Sequence, residues 1–269
     1  MQFSGLAYLV AAGVLGVHVL RASERLATVG TAALAGGFVL QSAAIASQLL
    51  RLGLPPVSAF HEGLSFFAWL IVGSCLIVSR STRLTVIGAI VSPLACVLTL
   101  AAVVLYRETV SPAELPSAWL RAHITLVFLG ASVFASAFAI SIVYLVQESL
   151  LKSRRRGWMI RRLPSLEHLD RLNYRCLVWG FPLLSLGLLS GWIWATSVGE
   201  RLWSWEALEI FSVVTWLIYA GLLQFRLTAG LRGRRAATLT IVAFGLVVVS
   251  FLSVNLLPLP GRHGGGTGL

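Results

Sequence analysis

The chain has 269 residues, of which 57% are hydrophobic and only 12% charged, with a formal net charge of +11. Soluble domains carry about 25% charged residues, so an ordinary water-soluble enzyme is excluded, and a disordered chain is excluded by the apolar content. The basic residues stand in short runs between long apolar stretches rather than on one solvated face, so the charge does not point to nucleic acid. A single lysine, Lys152, among 21 basic residues, with abundant Ala, Gly and Leu, is the bias of a GC-rich bacterial genome. Composition therefore predicts an all-α polytopic membrane protein.

About 20 apolar residues cross the hydrocarbon core as a helix. Eight segments qualify, approximately 3–20, 28–50, 61–79, 84–105, 123–150, 176–197, 208–225 and 237–257. Together they predict one integral membrane domain over residues 1–269. The start MQFSGL carries no positive charge whereas Arg21 and Arg25 follow the first apolar run, the reverse of a cleavable signal peptide. The first helix is therefore expected to remain as a span. Ser92-Pro93 in the fourth is tolerable as a kink. Cys75, Cys96 and Cys176 lie in or beside apolar segments without a CxxC spacing, and read as small buried residues.

Basic residues favour the cytoplasmic side. Alternate connections divide the 21 basic residues as 16 against 5. The poorer set, Arg51, Arg107, Arg121, Arg201 and Arg262, marks the outer side, with both termini there. This is the expected arrangement of a multi-pass protein of a bacterial inner membrane.

The longest inner loop runs from about 152 to 175. Its first half, KSRRRGWMIRR, is expected to lie against anionic headgroups, each basic residue contributing about 1 kcal/mol. In its second half Leu163, Leu166, Leu169 and Leu172 recur at three-residue spacing behind a candidate N-cap, Ser165. This predicts a short helix on the membrane surface, with docking of a cytoplasmic partner as the alternative and His168 solvated. His18 beside Arg21 reads as interfacial.

The outer connection between the sixth and seventh spans, about 198–209, is different in kind. Five of the nine tryptophans, Trp192, Trp194, Trp203, Trp205 and Trp216, fall in or around it. An aromatic belt at the membrane surface accounts for tryptophans in general. Trp203 and Trp205, however, lie within the loop, and Glu206 and Glu209 follow at a helix start, where the dipole favours carboxylates. Such an aromatic shelf suits a flat, apolar ligand. His123, after Trp119 and Arg121 at the start of the fifth span, and His263, past the eighth, belong to the same side. Each alone reads as a surface histidine, but two neutral imidazoles can also hold iron from both faces of a porphyrin. Arg121 or Arg262 would then pair with a propionate. The residues after 263, GGGTGL, are expected to form a flexible tail.

The stretch WSWEALEIFSVVTWLIYA resembles the tryptophan-rich WWD motif of the haem-handling cytochrome c assembly proteins, the CcsA/CcmC family. EGLSFFAWLI, AIVSPLA, WLRAHITLVFLGASVF, GLRGRRAA and VNLLPLPGRH look like further family elements in family order, and LPSLEHLDRLNYR with WGFPLLSLGLLSGWIWA is similar to the HemX-like branch. The resemblance covers roughly residues 60–263. It implies that His123 and His263 are axial ligands of a haem b held against Trp203 and Trp205, with Glu209 at the motif's acidic position and Glu206, Trp119 and Arg121 around the site. It also implies haem and apocytochrome c as partners, with a CcsB/ResB-like membrane protein beside them. The departures are Glu206 for the usual Asp, Gly199-Glu200 ahead of WxW, and Gln224 where many relatives carry an intramembrane histidine. Gln41 is a second candidate replacement, and His61 is an outer-edge histidine able to compensate.

Three readings follow. The first is a membrane protein that holds haem on the outer face and presents it for cytochrome c assembly, without catalytic activity of its own but within a haem-attachment complex. The second is a HemX-like accessory protein affecting the level of glutamyl-tRNA reductase. The third is a small-solute transporter without haem, which charged residues inside the spans would favour; the spans are nearly free of them. Hydrolase and phosphotransferase motifs are absent from the sequence.

Overall fold

The computed structural model of the chain describes residues 2–21, 23–52, 60–80, 85–106, 118–153, 163–197 and 207–256. Their regular elements are eight α-helices: α1 (Gln2–Arg21), α2 (Glu24–Leu52), α3 (Phe60–Arg80), α4 (Thr85–Val104), α5 (Ala118–Lys152), α6 (Leu166–Ser197), α7 (Ala207–Thr228) and α8 (Arg234–Leu256). Seven of them, α1 to α7, are long and apolar enough to cross a membrane by length and composition. Side chains of α8 are described only to Val249. Every predicted span coincides with one helix.

Among the described helices α5 is the central one. It packs most extensively on α6 and also touches α3, α4 and α8, while α1 and α2 pair with each other and α1 lies on α4. Phe134, Ile140, Ile71, Leu177 and Tyr219 are buried in the shared core. Between apolar helices in a membrane, association depends on close packing rather than on exclusion of water, so small residues mark the contacts. A Cβ at Gly130 would come within 2.9 Å of the Leu184 nitrogen, and one at Gly187 within 3.2 Å of the Val127 nitrogen. These glycines let the α5 and α6 backbones approach each other. The three cysteines are free and buried, as expected.

Some polar groups in the spans bond across helices. Tyr8 donates to Gln41 Oε1 (2.6 Å), and Gln41 Nε2 donates to the Ser65 carbonyl (2.8 Å) and Oγ (2.9 Å). The Ser74 and Ser136 hydroxyls are 2.9 Å apart.

The inner-loop expectations are corrected in three places. Residues after Ser165 do not form a separate surface helix, because α6 runs unbroken from Leu166 to Ser197. Ser165 caps it, accepting from the His168 N–H at 3.2 Å. Leu169 and Leu172 are buried in the core and Leu163 and Leu166 pack on it, since their spacing makes one stripe that turns toward the bundle. His168 is not solvated: it is partly buried, and its Nε2 has no partner among the described residues. Arg226, one of the 16 basic residues assigned to the inner side by their positions, is buried in the last turn of α7.

Arg226 forms an ion pair with Asp170 of α6 and donates to Asn173 Oδ1 (2.9 Å) and the Leu231 carbonyl (3.2 Å). Asn173 Nδ2 in turn donates to Ser141 Oγ of α5 (2.8 Å). The Gly233 N–H donates to Asp170 Oδ1 (3.1 Å). Gly230 and Gly233 have φ of +62° and +70°, a region that non-glycine residues rarely adopt, and the turn they make wraps the chain around Arg226. This Arg226 end of the bundle ties α5, α6, α7 and the start of α8 together. The opposite end carries His123.

Candidate functional site

The site is built on the first two turns of α5 and the last turns of α6. Trp119 and His123 are four residues apart and so share one face of α5. That face meets α6 at the close approach made by Gly130 and Gly187. His123 Nδ1 lies 2.8 Å from the Gly187 carbonyl oxygen and 3.2 Å from Ser190 Oγ. The Ser190 hydroxyl donates to the same Gly187 carbonyl at 2.7 Å. Trp119 Nε1 donates to the Ser190 carbonyl at 2.8 Å. A carbonyl only accepts, so His123 Nδ1 carries the proton, and in the neutral ring the lone pair then belongs to Nε2. Metal-ligating histidines characteristically have this arrangement, with the other ring N–H given to a carbonyl or carboxylate. Of the candidate ligands, His123 therefore has the donor chemistry an iron ligand needs.

Arg121 is buried at the same end of the bundle, but not beside His123. Two residues along an α-helix is about 200° around the axis, so Arg121 lies on the far side of α5. One heptad further on, Phe128 occupies that side and packs on Gly63 and Phe67 of α3. His61 and Glu62, at the start of α3, are both buried. His61 meets the Tyr106 ring edge-on at 5.0 Å, and Glu62 accepts from the Gln48 amide at 2.5 Å. Glu209 is partly buried in the first turn of α7.

Trp203, Trp205, Glu206, Arg262 and His263 lie outside the described residues. Of the flanking tryptophans, Trp192 is exposed, while Trp216 donates to Ser185 Oγ at 2.9 Å and packs on Phe181. The two glutamines have different surroundings. Gln41 is buried and fully engaged between three helices, whereas Gln224 is exposed on a groove between α6 and α7 lined by Phe181, Leu217, Gly221 and Leu227. His18, at the Arg226 end, is buried, with Nδ1 2.9 Å from the Ser23 carbonyl oxygen across the α1–α2 turn.

Sequence reasoning missed Gly187, Ser190 and Gly191, the partners of His123. Their signal is faint: a Gly-x-x-Ser-Gly run in the C-terminal half of a span. A Cβ at Gly191 would lie 2.7 Å from His123 Cε1, so the imidazole rests directly on this glycine.

The family model described as cytochrome C assembly protein matches residues 57–259, well over half of the chain. Among named relatives, the cytochrome c biogenesis protein CcsA of Prochlorococcus marinus is 31% identical over 235 residues, covering 78% of this chain and 76% of that protein. CcsA of Guillardia theta is 29% identical over 236 residues, covering 79% and 77%. CcsA of Synechococcus elongatus is 28% identical over 279 residues, covering 86% of each. The ordered motifs, the all-helical spans and these matches agree, and the chain belongs to the cytochrome c assembly protein family.

Proposed function

We propose that this protein works in cytochrome c biogenesis, receiving haem as cargo at the His123 end of the bundle and presenting it to an apocytochrome c. His123 Nε2 and His263 are the axial ligands of a b-type haem, Trp203 and Trp205 form the shelf on which the macrocycle packs, and Trp119 borders it. Glu206 and Glu209 set the acidic edge of the loop, and Arg121 supplies a buried positive charge at the same end. That end faces outward from the bacterial inner membrane, in keeping with the sparse basic residues there. A CcsB/ResB-like membrane protein is the proposed partner.

The observation that supports this reading is the hydrogen bond from His123 Nδ1 to the Gly187 carbonyl, which in the neutral ring assigns to Nε2 the lone pair a metal would take. What the haem brings is an iron with two axial positions. The chain's own residues bind it, orient it and shield one face. In this reading Gln41 is structural glue, because its amide is already committed to Tyr8 and Ser65.

The function is tested in cells that lack their own maturation system and express this chain, its partner and a reporter apocytochrome. Covalent haem in the reporter is expected to form with the wild-type chain and to fall to background with His123→Ala or His263→Ala. Unchanged maturation in both variants would contradict the proposal.

A further inference from the structure

The α6 turn from Gly187 to Gly191 does more than bury the foot of His123. Two oxygens of this turn converge on one ring nitrogen, the Gly187 carbonyl at 2.8 Å and Ser190 Oγ at 3.2 Å. The Ser190 proton is directed to the Gly187 carbonyl (2.7 Å), so the hydroxyl meets the His123 N–H with a lone pair. A single acceptor would leave the imidazole able to rock about the N···O line. A fork of two acceptors fixes the plane of the ring as well as its tautomer. Gly191 supplies the floor, with space for the ring and none for a methyl group, because a Cβ there would stand 2.7 Å from Cε1 and 3.1 Å from Nδ1. Trp119, donating to the Ser190 carbonyl at 2.8 Å, ties the same turn back to α5.

We infer that Ser190 and Gly191 are positioning residues that set the ring plane and the iron-ligating strength of His123. The inference rests on the haem-ligand reading above. Neither residue touches the cargo in this account; both act through the imidazole. Partners in this position typically matter about 10–100-fold in metal affinity, and an N–H donated to an oxygen raises the basicity of the opposite nitrogen.

The test uses the full-length protein in detergent. Three haem measurements are made: affinity by titration, low-spin fraction by electron paramagnetic resonance, and midpoint potential. Thermal melting is followed by circular dichroism. Ser190→Ala is expected to weaken haem binding about tenfold, to broaden the low-spin signal and raise its high-spin fraction, and to melt with the wild type. Ser190→Thr, which keeps a hydroxyl able to bond back to the helix carbonyl, is expected to restore binding and spin state. Gly191→Ala is expected to exceed Ser190→Ala in effect; if it fails to fold, the Ser190 pair still decides. Affinity, spin state and potential all unchanged in Ser190→Ala would overturn the inference. A measurement without haem separates it from the reading beneath it. In 15N spectra of histidine-labelled apoprotein, His123 is expected as the Nδ1–H tautomer, and an Nε2–H tautomer overturns the positioning claim. Wild-type protein that shows the Nδ1–H tautomer but binds no haem instead overturns the ligand reading, and with it the role assigned here.

Discussion

At Gln41 one amide joins three helices: its oxygen accepts from Tyr8 of α1 while its nitrogen donates to Ser65 of α3. Deleting one partner of a buried network leaves the others unsatisfied, at about 1–3 kcal/mol per group. Gln41→Leu is therefore expected to lower the melting temperature in detergent while leaving haem content per folded protein unchanged, since neither of its partners, Tyr8 and Ser65, is among the proposed haem-site residues. Trp119 supplies the opposite case. Trp119→Phe keeps most of the ring but removes the donor to the Ser190 carbonyl. It is expected to weaken haem retention with little change in melting, measured as the haem-to-protein ratio after size exclusion. In sequence, Trp119 and His123 were legible as candidates because their residue types are distinctive. Ser190 and Gly191 were not, because a serine and a glycine in an apolar helix have many uses and only the neighbouring helix reveals which.

At the scale of elements, α6 is the rod that connects the two ends of the bundle. Asp170 and Asn173 stand on its first turns, and Gly187 to Gly191 on its last. The Arg226–Asp170 pair at one end is held by Asn173 and the Gly233 N–H. A buried ion pair is weak evidence for net stability, yet removing one partner strands the other charge, at about 3–5 kcal/mol. Arg226→Ala is expected to be far more destabilising than Arg171→Ala, whose partner Glu167 is exposed. Urea or thermal unfolding of the two variants decides this, and equal losses would contradict it. The basic-residue pattern grouped Arg226 with the inner connections and could not show Asp170 across the helix pair. The leucine run after Ser165 was ambiguous for a related reason. Leucines at three-residue spacing make an apolar stripe whether the stripe meets lipid or protein, and here it meets the core of the bundle.

For the whole molecule, the helices were legible because a span must satisfy all its backbone groups internally, which leaves long apolar runs as the only solution. How the runs pack was not, since pairing between apolar helices depends on small residues such as Gly130 and Gly187 whose partners lie far away in sequence. Orientation is a prediction at this scale. A cysteine introduced as Gly265→Cys is expected to react with a membrane-impermeant maleimide in intact cells stripped of outer membrane. Arg155→Cys is expected to react only after lysis. Cys75, Cys96 and Cys176 are buried and should give little background. The reverse labelling pattern would put the His123 end on the cytoplasmic side and contradict the proposed periplasmic hand-over. The central claim, haem held between His123 and His263, is tested most directly by absorption spectra of the purified protein, oxidised and dithionite-reduced, beside His123→Ala and His263→Ala. The account predicts a low-spin b-type haem that weakens or turns high-spin in both variants. A wild-type protein that remains free of haem, even when expressed with added haem precursor, would contradict it.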